Sequence, residues 1–247
     1  MQKSLVKALQ ILEFISSSQK ECGVTEISSS LNLYKSNVHE ILTTFESFGY
    51  VKKDPLTRKY SLSLKFLQIA HTISDRFNFH EIVHAKLTEA CEKIGEVVYL
   101  GIPDGHNVMY LDGSFPKNNI STRPVIGMTA PLTCTGIGKA MLAYMPVNKI
   151  LNILETDLKA YTENSIVDKD KMLHELELIR QRGFSVDNME HEYGIKCVAV
   201  PVFNLKGNLL GALSVTGPSL RFPRSVYSSY AKILTETSKT IGSLLNI

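Results

Sequence analysis

His80-Glu81-Ile82-Val83-His84 sets two imidazoles one helical turn apart with a carboxylate between them. A zinc hydrolase uses this spacing to hold its metal and activate water. No third ligand follows at the metzincin spacing, and the segment falls at a domain junction. The three side chains therefore read as an exposed polar helix face, and no metal is expected. Cys197 with His191 and Asp187 is a second set with reactive chemistry, that of a cysteine hydrolase. Cys197 opens an apolar strand-like run, away from any helix N-terminus that would lower its pKa, which argues against a nucleophile. A P-loop, a Rossmann fingerprint and a G-x-S-x-G elbow are all absent. The motifs point away from an enzyme and from a bound cofactor, with a metal-dependent or small-molecule hydrolase as the alternative.

A different chemistry is written between residues 35 and 59. Lys35, Ser36, Asn37, His39 and Glu40 cluster at the start of one apolar-periodic segment, and Lys52, Lys53, Arg58 and Lys59 flank a turn at Asp54-Pro55. Hydrogen-bonding side chains on a helix can read base edges in the major groove, while lysine and arginine meet phosphates. The charge balance leans the same way. Residues 1–80 carry ten Lys/Arg against seven Asp/Glu, and the remainder carries seventeen of each. The surplus of three is small, so the motif carries more weight than the net charge.

The elements that must position these residues follow from periodicity. Leu5, Leu9, Leu12 and Ile15 predict an amphipathic helix over 5–17. A short helix follows from Thr25, read as its cap, to Leu31. Ser36 then caps a third helix whose stripe is Val38, Ile41, Leu42, Phe45 and Phe48, ending at Gly49. Tyr50–Leu62 reads as a basic two-stranded wing. Three short helices and a basic hairpin make a winged helix-turn-helix. A three-helix interaction module with solvated charges is the plainer reading, and the wing directly after the third helix weighs against it.

Beyond it, residues 63–78 predict a connecting helix, with the linker set at 65–79. A helix over 80–94 opens the second domain. Strands at 97–102 and 108–112 flank Pro103–Asn107 in one hairpin, and 197–203 and 209–216 form another. Helical patterns recur at 137–144, 147–154, 168–182 and 224–245. Hairpins with helices grouped between them indicate an α+β domain with an antiparallel sheet. The four cysteines are scattered and read as reduced thiols. With no apolar run of spanning length and no signal peptide at the start, the expected compartment is the cytoplasm.

Leu5–Leu12, Thr25-Glu26-Ile27, Lys35–His39 and Gly49-Tyr50-Val51, followed by Gly136–Ala140, Arg182–Asp187, Gly194–Val202 and Gly211–Gly217, occur in an order and spacing that resemble the IclR family of bacterial transcription regulators. The resemblance covers residues 3–246. It implies a DNA-binding domain over 1–64, the linker helix, and a GAF-like effector-binding domain over 80–247. It also implies a homodimer or tetramer on operator DNA, and repression as the usual behaviour. The positions it carries to the effector pocket are Ala130, Gly136, Ile137, Asp187, Cys197, Ser214 and Thr216. Gly136 and Ile137 start a helix, so their N–H groups are read as free to hold a carboxylate. Ser214 and Thr216 share a strand face and could orient a small hydroxy- or keto-acid. A small carboxylic or sugar acid is the implied effector class. The sequence departs from the family at Thr133, where histidine is usual, and at Met189, where an acid is usual. Thr133 and Thr216 are expected close to the ligand.

Overall fold

The computed structural model describes residues 2–18, 20–75, 80–117 and 125–244. The chain divides into two units, Met1–Asn78 and Phe79–Ile247.

In the first unit, helices α1 (Lys3–Ser17), α2 (Val24–Leu31) and α3 (Lys35–Ser47) precede strands β1 (Val51–Lys53) and β2 (Tyr60–Leu62) and helix α4 (Lys65–Asp75). Ile11, Ile15, Ile27, Val38, Leu42, Val51 and Tyr60 are the buried stripes of those elements and form one core. Cys22 exchanges two backbone hydrogen bonds with Tyr60, each 2.9 Å, which ties the chain before α2 to the wing. Two caps differ from expectation. Gly23, not Thr25, caps α2, because Glu26 reaches back to the Gly23 N–H at 3.4 Å. Tyr34, not Ser36, caps α3, and Ser36 lies exposed in its first turn. Phe48 also leaves the predicted stripe. The helix ends at Ser47 and Gly49 turns the chain at φ 75°, so the Phe48 ring stays 64% exposed. At the wing tip Asp54 Oδ1 accepts the N–H groups of Leu56 (2.8 Å) and Thr57 (2.6 Å), which fixes the turn. α4 is fastened to this unit at its start. Lys65 Nζ donates to Phe48 O at 2.6 Å and lies 4.3 Å from the centroid of the Tyr50 ring.

The second unit is built on a six-stranded antiparallel sheet in the order β5-β4-β3-β8-β7-β6. Its strands are β3 (Val97–Asp104), β4 (Asn107–Ser114), β5 (Thr129–Pro131), β6 (Ser185–Asn188), β7 (Ile195–Phe203) and β8 (Leu209–Pro218). Both predicted hairpins form. The first turns more tightly than expected, at Gly105-His106, with Gly105 at φ 58°. The two-residue period of β7 and β8 sorts their side chains to opposite faces. Val198, Val200, Val202, Leu213 and Val215 pack with Val83, Leu87, Leu234 and Ile241 of α5 (His80–Ile94) and α9 (Arg224–Leu244). Cys197, Ala199 and Ala212 pack on the other side with α6 (Gly136–Leu142), α7 (Val147–Thr156) and α8 (Lys169–Arg182). Among the described residues no helix is long and apolar enough to cross a membrane.

Two contacts fix these layers. A Cβ on Gly242 would stand 1.9 Å from Phe203 O, so α9 rests directly on the β7 backbone. On the other face Lys139 of α6, 1% exposed, gives its ammonium to Glu190 at 2.5 Å. Gly242→Ala is therefore expected to destabilise by about 2 kcal/mol or more, because the obstruction is backbone and cannot swing away. An unchanged thermal midpoint would contradict this packing. Lys139→Met leaves Glu190 buried without its cation, at a cost of about 3–5 kcal/mol. Lys139→Met with Glu190→Leu should recover most of that loss in denaturant unfolding, since the pair repays little more than its own desolvation.

Candidate functional site

The first candidate surface is the outward face of α3 with the wing. Lys35, Ser36, His39 and Glu40 are exposed. Asn37 is half-buried, and with Glu40 it borders a groove against Gln2, Leu5 and Ala8 at the start of α1. That placement turns Asn37 toward the flank of the helix. On the wing, Lys52, Arg58 and Lys59 are exposed, while Lys53 is half-buried with Nζ 5.2 Å from the centroid of the Tyr60 ring. Arg58 holds a left-handed backbone, φ 59°, which turns the chain back into β2. Two residues on this surface were not anticipated. Thr43 is exposed one turn beyond His39, and its hydroxyl donates to the His39 carbonyl at 2.8 Å. Tyr34, 81% exposed, stands at the helix start. The i+4 spacing from His39 was the available signal for Thr43.

The second candidate is a cavity of about 260 Å³ on the α6 side of the sheet. Metabolite-sized ligands fit such a space, since drug-sized ones occupy roughly 300–1,000 Å³. Ala130, Gly136, Ile137, Asp187, Cys197 and Thr216 all line it, so six predicted positions from five elements converge. Ser214 does not line it. It pairs in register with Ala199 and Tyr99 and is buried one step deeper, its Oγ without a nitrogen or oxygen partner. Thr133 does not line it either, because its Oγ1 donates to Asp157 O at 3.1 Å. Tyr99, Tyr110, Thr135, His191 and Ile195 also line it without having been foreseen as pocket residues, as do Val125, Met128, Thr129 and Glu192. Tyr99 and Tyr110 meet edge to face at 5.3 Å, an arrangement made by the β3–β4 pairing.

The start of α6 sits hard against β7. A Cβ on Gly136 would lie 2.8 Å from Cys197 Sγ, and one on Gly138 would lie 2.5 Å from Leu132 Cα. Thr135 caps the helix, its Oγ1 accepting the Gly138 N–H at 3.1 Å and donating to Pro131 O at 2.8 Å. The Ile137 N–H is within hydrogen-bonding reach of the Cys197 sulfur. The expected pair of unoccupied N–H groups is thus partly engaged. Asp187 Oδ1 accepts the Glu190 N–H at 2.7 Å, and burial raises this carboxyl to about 7. Glu190 is raised as well, by burial first, with Lys139 opposing.

The reactive readings do not survive this geometry. Burial, followed by the charge of Asp187, pushes the Cys197 thiol up to about 12, so it stays protonated and is no nucleophile. His84 turns its Nδ1 onto Asp112 of β4 at 3.1 Å, and Glu81 is exposed. The His80 side chain lies outside the described residues. Among the described residues no three His, Cys, Asp or Glu side chains gather as a metal site.

Comparison with known proteins agrees with both halves. The profile described as "Bacterial transcriptional regulator IclR C-terminal" matches residues 71–243, and "IclR helix-turn-helix domain" matches residues 4–55. The HTH-type transcriptional regulator KdgR of Escherichia coli is 30% identical over 97% of this chain and 91% of its own length. The crystal structure of the Thermotoga maritima IclR superposes with a TM-score of 0.79 at 31% identity, covering 98% of this chain and 100% of that one. An IclR homologue from Microbacterium hydrocarbonoxydans, crystallised with 4-hydroxybenzoate, shares the fold with a TM-score of 0.86 at 16% identity, covering 98% of each chain. With a helix-turn-helix carrying a basic wing, a partly open cavity in place of a reactive centre, and relatives matched along nearly the whole length, the chain belongs to the IclR family of bacterial transcription regulators.

Proposed function

We propose that the chain is a cytoplasmic repressor whose hold on operator DNA is set by a small carboxylic or sugar acid bound behind α6. Residues 1–64 contact DNA, 65–79 link, and 80–247 bind the effector. The observation that carries the effector half is the convergence of Ala130, Gly136, Ile137, Asp187, Cys197 and Thr216 on one cavity. Its mixture of apolar floor, hydroxyl, carboxyl and backbone N–H groups suits a small polar acid better than a hydrocarbon. The fold-mate from Microbacterium was crystallised with an aromatic hydroxy-acid, which belongs to the same chemical class. Ser214 supports the wall from behind and Thr216 presents its hydroxyl to the ligand.

On the DNA half, Lys35, Ser36, Asn37, His39 and Glu40, joined by Thr43, read bases, while Lys52, Lys53, Arg58 and Lys59 hold phosphates. Leu5 and Leu9 on α1, and Leu64, Leu67 and Ile69 at α4, leave apolar surface exposed on the first unit, which favours a homodimer or higher assembly on paired half-sites.

A thermal-shift panel tests the effector half, pairing each small acid with its neutral alcohol or amide. At least one acid should raise the melting point while its neutral partner does not, and a panel in which only neutral compounds stabilise would overturn the acid assignment. For the DNA half, changing Lys52, Lys53, Arg58 and Lys59 to Ala should weaken binding to every sequence alike. It should also flatten the salt slope by about one unit per lost phosphate contact. Substitution of His39, Glu40 or Thr43 should instead move base preference at single positions. Wing variants with an unaltered salt slope would remove the wing from the interface. Transcription from a bound promoter in vitro should fall when the protein is added, and a rise would make it an activator.

A further inference from the structure

The acid-effector reading leaves a difficulty in the cavity wall. Asp187 is itself a carboxyl group, only 5% exposed, and it lines the space an acid must enter. A buried ammonium lies close by on α6, yet Lys139 gives it to Glu190 at 2.5 Å. Among the described residues, what Asp187 receives is backbone: the Glu190 N–H at 2.7 Å, with that of His191 contributing less.

Of the groups that face it, Glu190, Cys134, Cys197 and Tyr110 supply no positive charge to offset a second negative one. Glu190 follows β6 and adds a negative charge. Cys134 before α6, Cys197 on β7 and Tyr110 on β4 are each raised by burial first, so all three stay neutral. Lys139 on α6 acts at longer range and is already paired. His191 and Glu192 stand in the same wall, on the turn that follows Asp187. Two ionised carboxylates in one desolvated space repel strongly, and a pair that shares one proton does not.

We propose that Asp187 meets the effector as a neutral acid, donating a hydrogen bond to the effector's carboxylate, so that wherever Asp187 is ionised beforehand each bound acid brings one proton from solution into the cavity. The inference rests on the acid reading of this cavity and adds the protonation state that makes the reading workable. The effector enters as its anion, the proton comes from water or buffer, and it stays between the two carboxyl groups until the acid leaves. Asp187 then favours acids, because its donated hydrogen makes a charge-assisted bond to a carboxylate and only a weaker neutral one to an amide carbonyl. Burial, which holds this carboxyl at about 7 before any ligand arrives, makes the proton available near neutral pH.

The sign of the pH dependence follows. Below about pH 7 Asp187 already carries the proton and affinity is flat; above it, affinity falls about tenfold per pH unit because the proton must be supplied. Between pH 6 and pH 8.5 the loss is about thirtyfold. Asparagine keeps a carbonyl for the Glu190 N–H and supplies a permanent N–H donor. Asp187→Asn should therefore bind acids with little pH dependence, while Asp187→Ala should lose affinity at every pH.

The test is calorimetric titration of the full-length protein and both variants with pyruvate, gluconate and 4-hydroxybenzoate. Titrations run at pH 6 and pH 8.5, in two buffers of different ionisation enthalpy. Uptake of about one proton per acid at pH 8.5, with a pH-insensitive Asp187→Asn that still binds, supports the proposal. Binding without proton uptake, or an Asp187→Asn as defective as Asp187→Ala, overturns it while leaving the acid reading intact. Failure of all three acids at both pH values overturns both. A carboxyl 13C titration of the ligand-free protein gives a readout without any ligand. Asp187 ionising near pH 4 would also overturn the proposal.

Discussion

At Gly136 helix α6 lies closer to β7 than a side chain larger than hydrogen permits, and the arrangement of the second unit depends on that approach. Gly138 backs onto Leu132 and Gly136 onto Cys197, where a Cβ would stand 2.5 Å and 2.8 Å from its nearest neighbour. The approach is held by directed bonds. Thr135 caps the helix, Ser185 Oγ donates to Gly136 O at 2.5 Å, and Lys139 reaches Glu190 through the core. With α6 pinned there, its first turn becomes one side of the cavity instead of a surface helix end, and β6, β7 and β8 contribute Asp187, Cys197 and Thr216. Close packing of this kind leaves few low-energy alternatives, so the cavity wall is prepared before a ligand enters.

The turn after β6 is positioned with similar care. Thr162 Oγ1 donates to Met189 O at 2.6 Å, and Ser165 Oγ donates to Glu190 O at 2.6 Å. Met189 holds a left-handed backbone, φ 63°, which costs of order 1–3 kcal/mol for a residue with a side chain. The loop at 161–165 offsets that cost and so fixes Glu190 beneath the wall and His191 within it. The departure from the family's usual acid at position 189 therefore falls where the backbone carbonyl, not the side chain, makes the recorded contact.

Much of this could be read from the residues. The stripes of α1 and α3, the wing, both long hairpins and the helices from 147 onward follow from periods of 3.6 and 2 that the core obeys. The errors are local and physical. Thr25 and Ser36 have good capping side chains, but Glu26 and plain backbone geometry set both caps two residues earlier. Phe48 continues the apolar spacing past the point where Gly49 turns the chain. Strands β5 and β6, with three and four residues, are too short to show alternation, and they exist because neighbouring strands offer unpaired edges. In the cavity, six of the positions that motif resemblance carried to the pocket line one wall. It could not separate Ser214 from Thr216, which share a strand face but differ in depth. Nor could it find Tyr99 and Tyr110, whose contribution arises from β3–β4 register.

The central claim is that occupation of the cavity behind α6 changes the hold of α3 and the wing on DNA. An effector does this only by binding one state of the protein better than the other, and the coupling must be reciprocal. The most direct measurement is a pair of titrations on the full-length chain, using DNA that it selects from a random library and an acid that stabilises it. DNA affinity is measured with and without saturating acid, and acid affinity with and without saturating DNA. Both affinities should change by the same factor, about 5–150-fold, and in the same sense. An acid that binds in the cavity yet leaves DNA affinity unchanged would contradict it.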